Sequence, residues 1–197
     1  MRVIAGRLRG RRLFVLPDLS IRPTIGRLRE SYFDIVRDRI EGARFLDLCA
    51  GSGSIGIEAL SRGATHVAFV EKSHRAAQVL RRNLDHCGLA DGYRLLQGDI
   101  FQEIPRLARD GEPFDLIYFD PPYFRDLYQR TLELLSECAL LAPEGLLAAN
   151  HFKKTPLPDA CGRLYRVREV QHGDSVLSFY DWSAAAGDAD TPPASGL

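Results

Sequence analysis

The feature that most constrains this sequence is an apolar run that breaks into glycines. Residues 45–49 (Phe, Leu, Asp, Leu, Cys) lead into Ala50-Gly51-Ser52-Gly53-Ser54-Ile55-Gly56. A short apolar run bounded by small turn residues reads as a buried strand, and the residues after Gly53 read as a helix. A strand that turns on glycines into a helix is the first unit of a βαβ fold, because parallel strands need a crossover of this kind. The rest of the chain repeats the unit. Strands are expected at 66–70, 93–97, 116–120 and 145–149, with helices at 54–62, 73–87, 102–109 and 127–139. Ser73 supplies an N-cap, and Ala76, Leu80, Leu84 and Cys87 make a buried stripe behind it. This order predicts an α/β fold: a parallel sheet with helices on both faces. The end departs from it. Residues 164–170 and 176–182 lie a hairpin's reach apart, which predicts an antiparallel pair at the sheet edge and seven strands in all.

Ahead of the sheet stands a smaller unit. Residues 3–5 and 13–16 flank Gly-Arg-Leu-Arg-Gly-Arg-Arg, a predicted hairpin with arginines at its tip that Pro17 closes. A helix follows over about 26–40, where Leu28, Tyr32, Ile35, Val36 and Ile40 recur at helical spacing. The chain thus divides into a basic N-terminal extension (1–42), an α/β domain (43–182) and a polar tail (183–197) expected to be disordered. No apolar run approaches the roughly 18 residues of a membrane helix. The N-terminus lacks the apolar core of a secretory signal. Cys49, Cys87, Cys138 and Cys161 are scattered without a C-x-x-C pair, which points to free thiols in a reducing cytoplasm, no disulfide framework and no metal site. The net charge is zero, yet residues 1–39 hold ten arginines against four acids. A basic arm on a neutral body is a footprint for a polyanion. Nothing suggests a large apolar face, so a monomer is expected.

Gly51, Gly53 and Gly56 satisfy G-x-G-x-x-G, and Glu71 lies 20 residues beyond Gly51, at the end of the second strand. By pattern alone this is a dinucleotide fingerprint, and a nicotinamide-dependent oxidoreductase is a rival reading. Electrostatics separates the two. Asp47, just ahead of the glycines, would repel a pyrophosphate and welcome a cation. S-adenosylmethionine fits, with its sulfonium, ammonium, ribose diol and adenine, and no phosphate. Glu71 would accept the ribose hydroxyls and Asp99 the adenine amino hydrogen, with Gly51, Ser52, Gly53, Lys72 and Ile100 beside them. Asp47, Glu71, Asp99 and Asp120 end four successive strands and so share one rim.

The fourth strand ends on Asp120-Pro121-Pro122-Tyr123. Neither proline has a backbone N–H, and Pro121 biases Asp120 away from the helical region. A rigid bend then holds a carboxylate, carbonyls and an aromatic ring at the rim where open α/β sheets bind ligands. That suits a planar group with N–H donors.

The runs RPT…RLRESYFD, FLDLCAGSGSIGIEALSRGA, FVEKS, GDIF and FDLIYFDPPY together resemble the bacterial small-subunit (16S) ribosomal RNA guanine-N2 methyltransferases, the RsmD family, over nearly all of residues 1–182. The resemblance implies a Rossmann-like, class I S-adenosylmethionine-dependent methyltransferase that methylates a guanine N2 in an assembling ribosomal particle. Asp120, Pro121, Pro122 and Tyr123 would then be catalytic, with Tyr123 stacked on a flipped base. Arg7, Arg9, Arg11, Arg12, Arg22, Thr24, Arg27 and Arg29 would hold RNA. His151 and His172 are expected to be structural. The nearest alternative is an adenine-N6 methyltransferase acting on DNA or RNA; a non-catalytic RNA-binding assembly protein is another.

Overall fold

In chain order the elements are α1 (Pro23–Ile35), α2 (Arg37–Ile40), β1 (Arg44–Leu48), α3 (Ser54–Ser61), β2 (His66–Glu71), α4 (His74–His86), β3 (Tyr93–Gln97), α5 (Ile100–Arg109), β4 (Phe114–Phe119), α6 (Arg125–Glu137), β5 (Leu141–Phe152), β6 (Ala160–Cys161), β7 (Leu164–His172) and β8 (Ser175–Asp181). They come from a computed structural model that describes residues 1–16, 23–111, 113–121 and 125–182. Pro17, Arg22, Pro122, Tyr123 and the tail 183–197 lie outside the described residues, as does the side chain of Thr24.

The strands form one sheet in the order β3-β2-β1-β4-β5-β8-β7-β6. The first five are parallel, and β8, β7 and β6 add on antiparallel. The chain steps outward from β1 to β3, then returns to start β4 on the other side of β1. That reversal is a topological switch point, with a crevice above the carboxyl ends of β1 and β4. Two apolar layers cover the sheet. Phe45, Val67, Phe69, Leu116, Tyr118 and Ala148 pack under α1, α3 and α4. Leu46, Val70, Ile117, Phe119 and Leu147 pack under α5 and α6 on the other face.

The sheet has eight strands where seven are expected. The extra β6 is two residues long, too short to show alternation, and Gly162 at φ 57° turns it back onto β7. The helix expected over 26–40 starts at Pro23 and breaks at Val36, whose ψ of 12° ends one helix and caps the next while its side chain stays fully buried. Helix α5 starts at Ile100 rather than Gln102, because the Asp99 side chain accepts from the Phe101 N–H and caps it. The N-terminal hairpin makes one bridge, Arg2 to Arg12, in place of two regular strands. Its order comes from other elements: Val3 and Leu13 enter the same core as Tyr32, Phe33 and Phe45.

Candidate active site

Side chains alternate across a sheet, so register decides which acids meet. Asp47 is paired with Phe69 and Tyr118, and Leu48 with Val70 and Phe119. Counting by twos from those residues puts Asp47, Glu71 and Asp120 on the α1/α3/α4 face, at the carboxyl rim. The turn above them is tight. Cys49, at φ 63°, is the only described residue with a side chain in the left-handed region, a conformation that costs on the order of 1–2 kcal/mol. A Cβ on Gly53 would sit 2.0 Å from Leu80 Cδ1, and one on Gly56 2.2 Å from the Phe69 ring, so these two glycines let α3 and α4 close on the sheet. A Cβ on Gly51 would meet nothing within 4 Å. That glycine faces open space, as the lip of a ligand cradle does.

The acids occupy the amides of this turn. Gly56 N–H donates to Asp47 Oδ2 at 2.9 Å, and Gly51 N–H to Glu71 Oε2 at 2.7 Å. Glu71 Oε1 accepts from Ser73 N–H at 2.7 Å. In a dinucleotide site such amides would hold pyrophosphate; here carboxylates already hold them. Each oxygen keeps a second lone pair for a hydroxyl or ammonium hydrogen. Burial pushes the Asp47 carboxyl up to about 8, against the Gly56 N–H, and the charges of Asp120 and Glu71 add to the rise. Burial also takes the Cys49 thiol up to about 12, helped by Glu71, Asp120, Asp47 and Asp99. Crowded, desolvated acids of this kind are relieved by a cation. The residues therefore fit S-adenosylmethionine and do not fit a dinucleotide.

Asp99 and Lys72 lie at the outer end of the rim. Lys72 Nζ donates to Asp99 Oδ2 at 2.9 Å, which holds the Asp99 carboxyl below its usual range, with the Phe101 N–H adding to the effect. Ile100 is buried against the α5 and α6 layer. Asp120 is half-buried just past β4, and Pro121 is buried beside it. Burial pushes the Asp120 carboxyl up to about 6, opposed by a hydrogen bond from Asn150. That partner was not expected from sequence, although one polar residue at the end of the run Leu146-Leu147-Ala148-Ala149-Asn150 repeats the pattern of Asp120.

Of the candidate RNA contacts, Arg7, Arg9, Arg11, Arg12 and Arg27 are exposed. Arg29 is corrected: it is 6% exposed and donates to the Arg2 carbonyl at 2.7 Å, so it ties α1 to the N-terminal segment and does not reach solvent. Asn83, also unexpected, links that segment to the glycine turn. Its Oδ1 accepts from Phe14 N–H, and its Nδ2 donates to the carbonyls of Phe14 (2.9 Å) and Ser52 (2.8 Å). His151 Nε2 bonds Ser178 Oγ at 2.9 Å and His172 Nε2 bonds Ser31 Oγ at 2.8 Å, which are framework contacts.

A family model described as Conserved hypothetical protein 95 matches residues 1–181. The sequence is 33% identical over 190 residues to the Ribosomal RNA small subunit methyltransferase D of Escherichia coli strain K12, covering 96% of this chain and 93% of that protein. A solved Escherichia coli structure at 33% identity superposes with a TM-score of 0.81, covering 93% of this chain and 98% of the other. An Agrobacterium tumefaciens structure described as a SAM Dependent Methyltransferase, 19% identical, shares the fold with a TM-score of 0.62 over 84% of this chain and 64% of its own.

Proposed function

The chain belongs to the RsmD family, that of Conserved hypothetical protein 95, and on that premise we propose that it methylates the exocyclic N2 of a guanine in small-subunit ribosomal RNA, using S-adenosylmethionine. The observation that carries the reading is the rim itself. Buried carboxylates fill the amides of the glycine turn, and the Asp120-Pro121 corner stands next to them at the switch point. The relative named above acts, by its name, on small-subunit ribosomal RNA.

In this reading Asp47 holds the ammonium of the methyl donor and Glu71 its ribose hydroxyls, with Asp99, Lys72 and Ile100 around the adenine and Gly51-Ser52-Gly53 as the floor. When bound, S-adenosylmethionine supplies a methyl carbon on a sulfonium sulfur that departs as a neutral thioether, keeping the bonding pair. The guanine amino nitrogen is amide-like, with its lone pair delocalised into the ring. Asp120 and the Pro121 carbonyl accept its two hydrogens and turn the lone pair toward the methyl carbon. Pro122 stiffens the corner and Tyr123 stacks on the base. The nitrogen forms its new bond with its own pair and then releases one proton, which the Asp120 carboxylate accepts and passes to water. Most of the acceleration is positional. Residues 1–42 act as the RNA-binding extension of a monomeric cytoplasmic enzyme, through Arg7, Arg9, Arg11, Arg12, Arg22, Thr24 and Arg27.

Mass spectrometry of ribosomal RNA from cells lacking the protein tests the substrate. One small-subunit N2-methylguanine should be missing; an unaltered RNA, or a missing methyladenine, overturns the assignment. In the purified protein, Asp120→Ala should lose turnover by roughly a thousandfold or more. Its affinity for the methyl donor, by calorimetry, should stay within about threefold of wild type, since Asp120 serves the base and not the donor.

A further inference from the structure

Asn150 stands one step beyond Ala149, which pairs with Phe119 of β4. It is therefore the neighbour of Asp120 on the adjacent strand and, by alternation, on the same face. The residue is 4% exposed. The Nδ2–H donates to Asp120 Oδ1 at 2.9 Å. A carboxylate only accepts, so the amide nitrogen has to face it. The strand end is fixed from behind by Tyr128 of α6, whose hydroxyl donates to the Asn150 carbonyl at 2.8 Å. The Asn150 side-chain oxygen is buried and, among the described residues, has no hydrogen-bond partner.

A buried amide with an unused oxygen is a cost that stability alone does not repay. It fits a neighbour that changes protonation state. While Asp120 is ionised, the amide N–H binds one carboxylate oxygen and leaves the other for the substrate. Once Asp120 carries a proton it becomes a donor, and a half-turn of the amide offers the unused oxygen to it. We infer that Asn150 is a positioning residue for methyl transfer that acts through Asp120, reserving Oδ2 for the guanine amino group and keeping the carboxyl ionised until it receives the proton. The inference rests on the proposed reaction. Asp47 on β1 and the Cys49 thiol feel the Asp120 charge, and Glu71 on β2 acts on both. None of these donates to Asp120 as Asn150 does.

Two near-isosteric variants and one titration test it. In Asn150→Leu the donor is lost, and in Asn150→Asp it is replaced by a second acid. The midpoint of the Asp120 carboxyl carbon resonance, in the protein without RNA or methyl donor, should rise by about one unit in Asn150→Leu and further in Asn150→Asp. The acid limb of the kcat profile should move in the same order, and kcat should fall roughly 10–100-fold while methyl-donor affinity holds. In wild type, the Asn150 side-chain amide resonances should titrate with the Asp120 midpoint, a readout that survives if a variant fails to fold. Variant midpoints and kcat equal to wild type overturn the inference. So does a joint fall of kcat, Tm and donor affinity with the midpoint unmoved. If wild type instead methylates no guanine, the reaction assignment fails, and the midpoints still decide whether Asn150 governs Asp120.

Discussion

Asp47 is 2% exposed, accepts the Gly56 N–H, and has its carboxyl pushed up to about 8 from an ordinary 3.8. The sign of its effect on stability follows. Between those values the folded state keeps a proton that the unfolded chain has released. Its contribution is therefore fully present below about 3.8 and lost as pH rises through about 8. Asp47→Asn retains an oxygen for the Gly56 N–H and removes the titration. Melting curves should show little gain at pH 4 and a gain on the order of 10 °C at pH 8, since a rise of this size is worth about 5 kcal/mol and each kcal/mol moves the midpoint of a chain of this size by about 2–4 °C. The same variant should lose methyl-donor affinity, because the negative charge that disfavours the empty fold is what would hold the ammonium. Equal melting temperatures at pH 8 would mean that the buried carboxyl carries no penalty there. Asn150 shows the converse: a residue whose fit to Asp120 is visible only once two strands are in register.

At the scale of elements, β1, β2, β4 and β5 and the helices are legible because each buries an apolar run or stripe, and β3, which buries only Leu96, is legible from its place between two helical stripes and the acid Asp99 just beyond it. The N-terminal hairpin is legible as a turn of the chain, but the way it docks is not. Its partners lie far away in sequence: Glu58 accepts from Ile4 N–H at 2.7 Å and Ala5 N–H at 2.9 Å, Ser61 Oγ from Leu8 N–H at 2.9 Å, and Asn83 bonds Phe14 both ways. No local period encodes a backbone paired with side chains of two helices. Glu58 of α3 is fully buried and also takes the Arg62 Nε–H at 2.8 Å. Arg29 departs from its expected RNA contact for the same reason, since its spacing on α1 does not reveal that its guanidinium bonds the Arg2 carbonyl. The element therefore has a testable weak point. Glu58→Ala leaves two backbone donors and a guanidinium without their acceptor, a loss of about 2–4 kcal/mol. In this variant trypsin should cut the segment at Arg7 to Arg12 faster than in wild type at temperatures below the melting of the sheet. Unchanged cleavage would mean that apolar contacts of Val3 and Leu13 suffice to hold it.

Across the whole molecule the positive and negative charges are equal in number, and their placement is what bears on a polyanion. The arm carries exposed Arg7, Arg9, Arg11 and Arg12. Asn83 joins Phe14, at the base of that arm, to Ser52 in the glycine turn, so the basic surface is built onto the same frame as the rim acids. Phosphates held by the arm would bring a neighbouring nucleotide toward Asp120, and the acidic rim would repel any phosphate that entered it directly. If the four arginines each neutralise a phosphate of single-stranded RNA, reversing all four to glutamate should flatten the slope of log affinity against log salt by about 3, at roughly 0.7 per contact. Arg168 is exposed on β7, in the antiparallel edge that carries none of the rim acids; Arg168→Glu is the matched control and should leave the slope within about 0.5 of wild type. Equal effects at both places would reduce the arm to a contribution of net charge. A slope unchanged by the fourfold reversal would remove the arm from RNA capture while leaving the reaction at Asp120 intact, because kcat at saturating RNA depends on the rim and not on the arm.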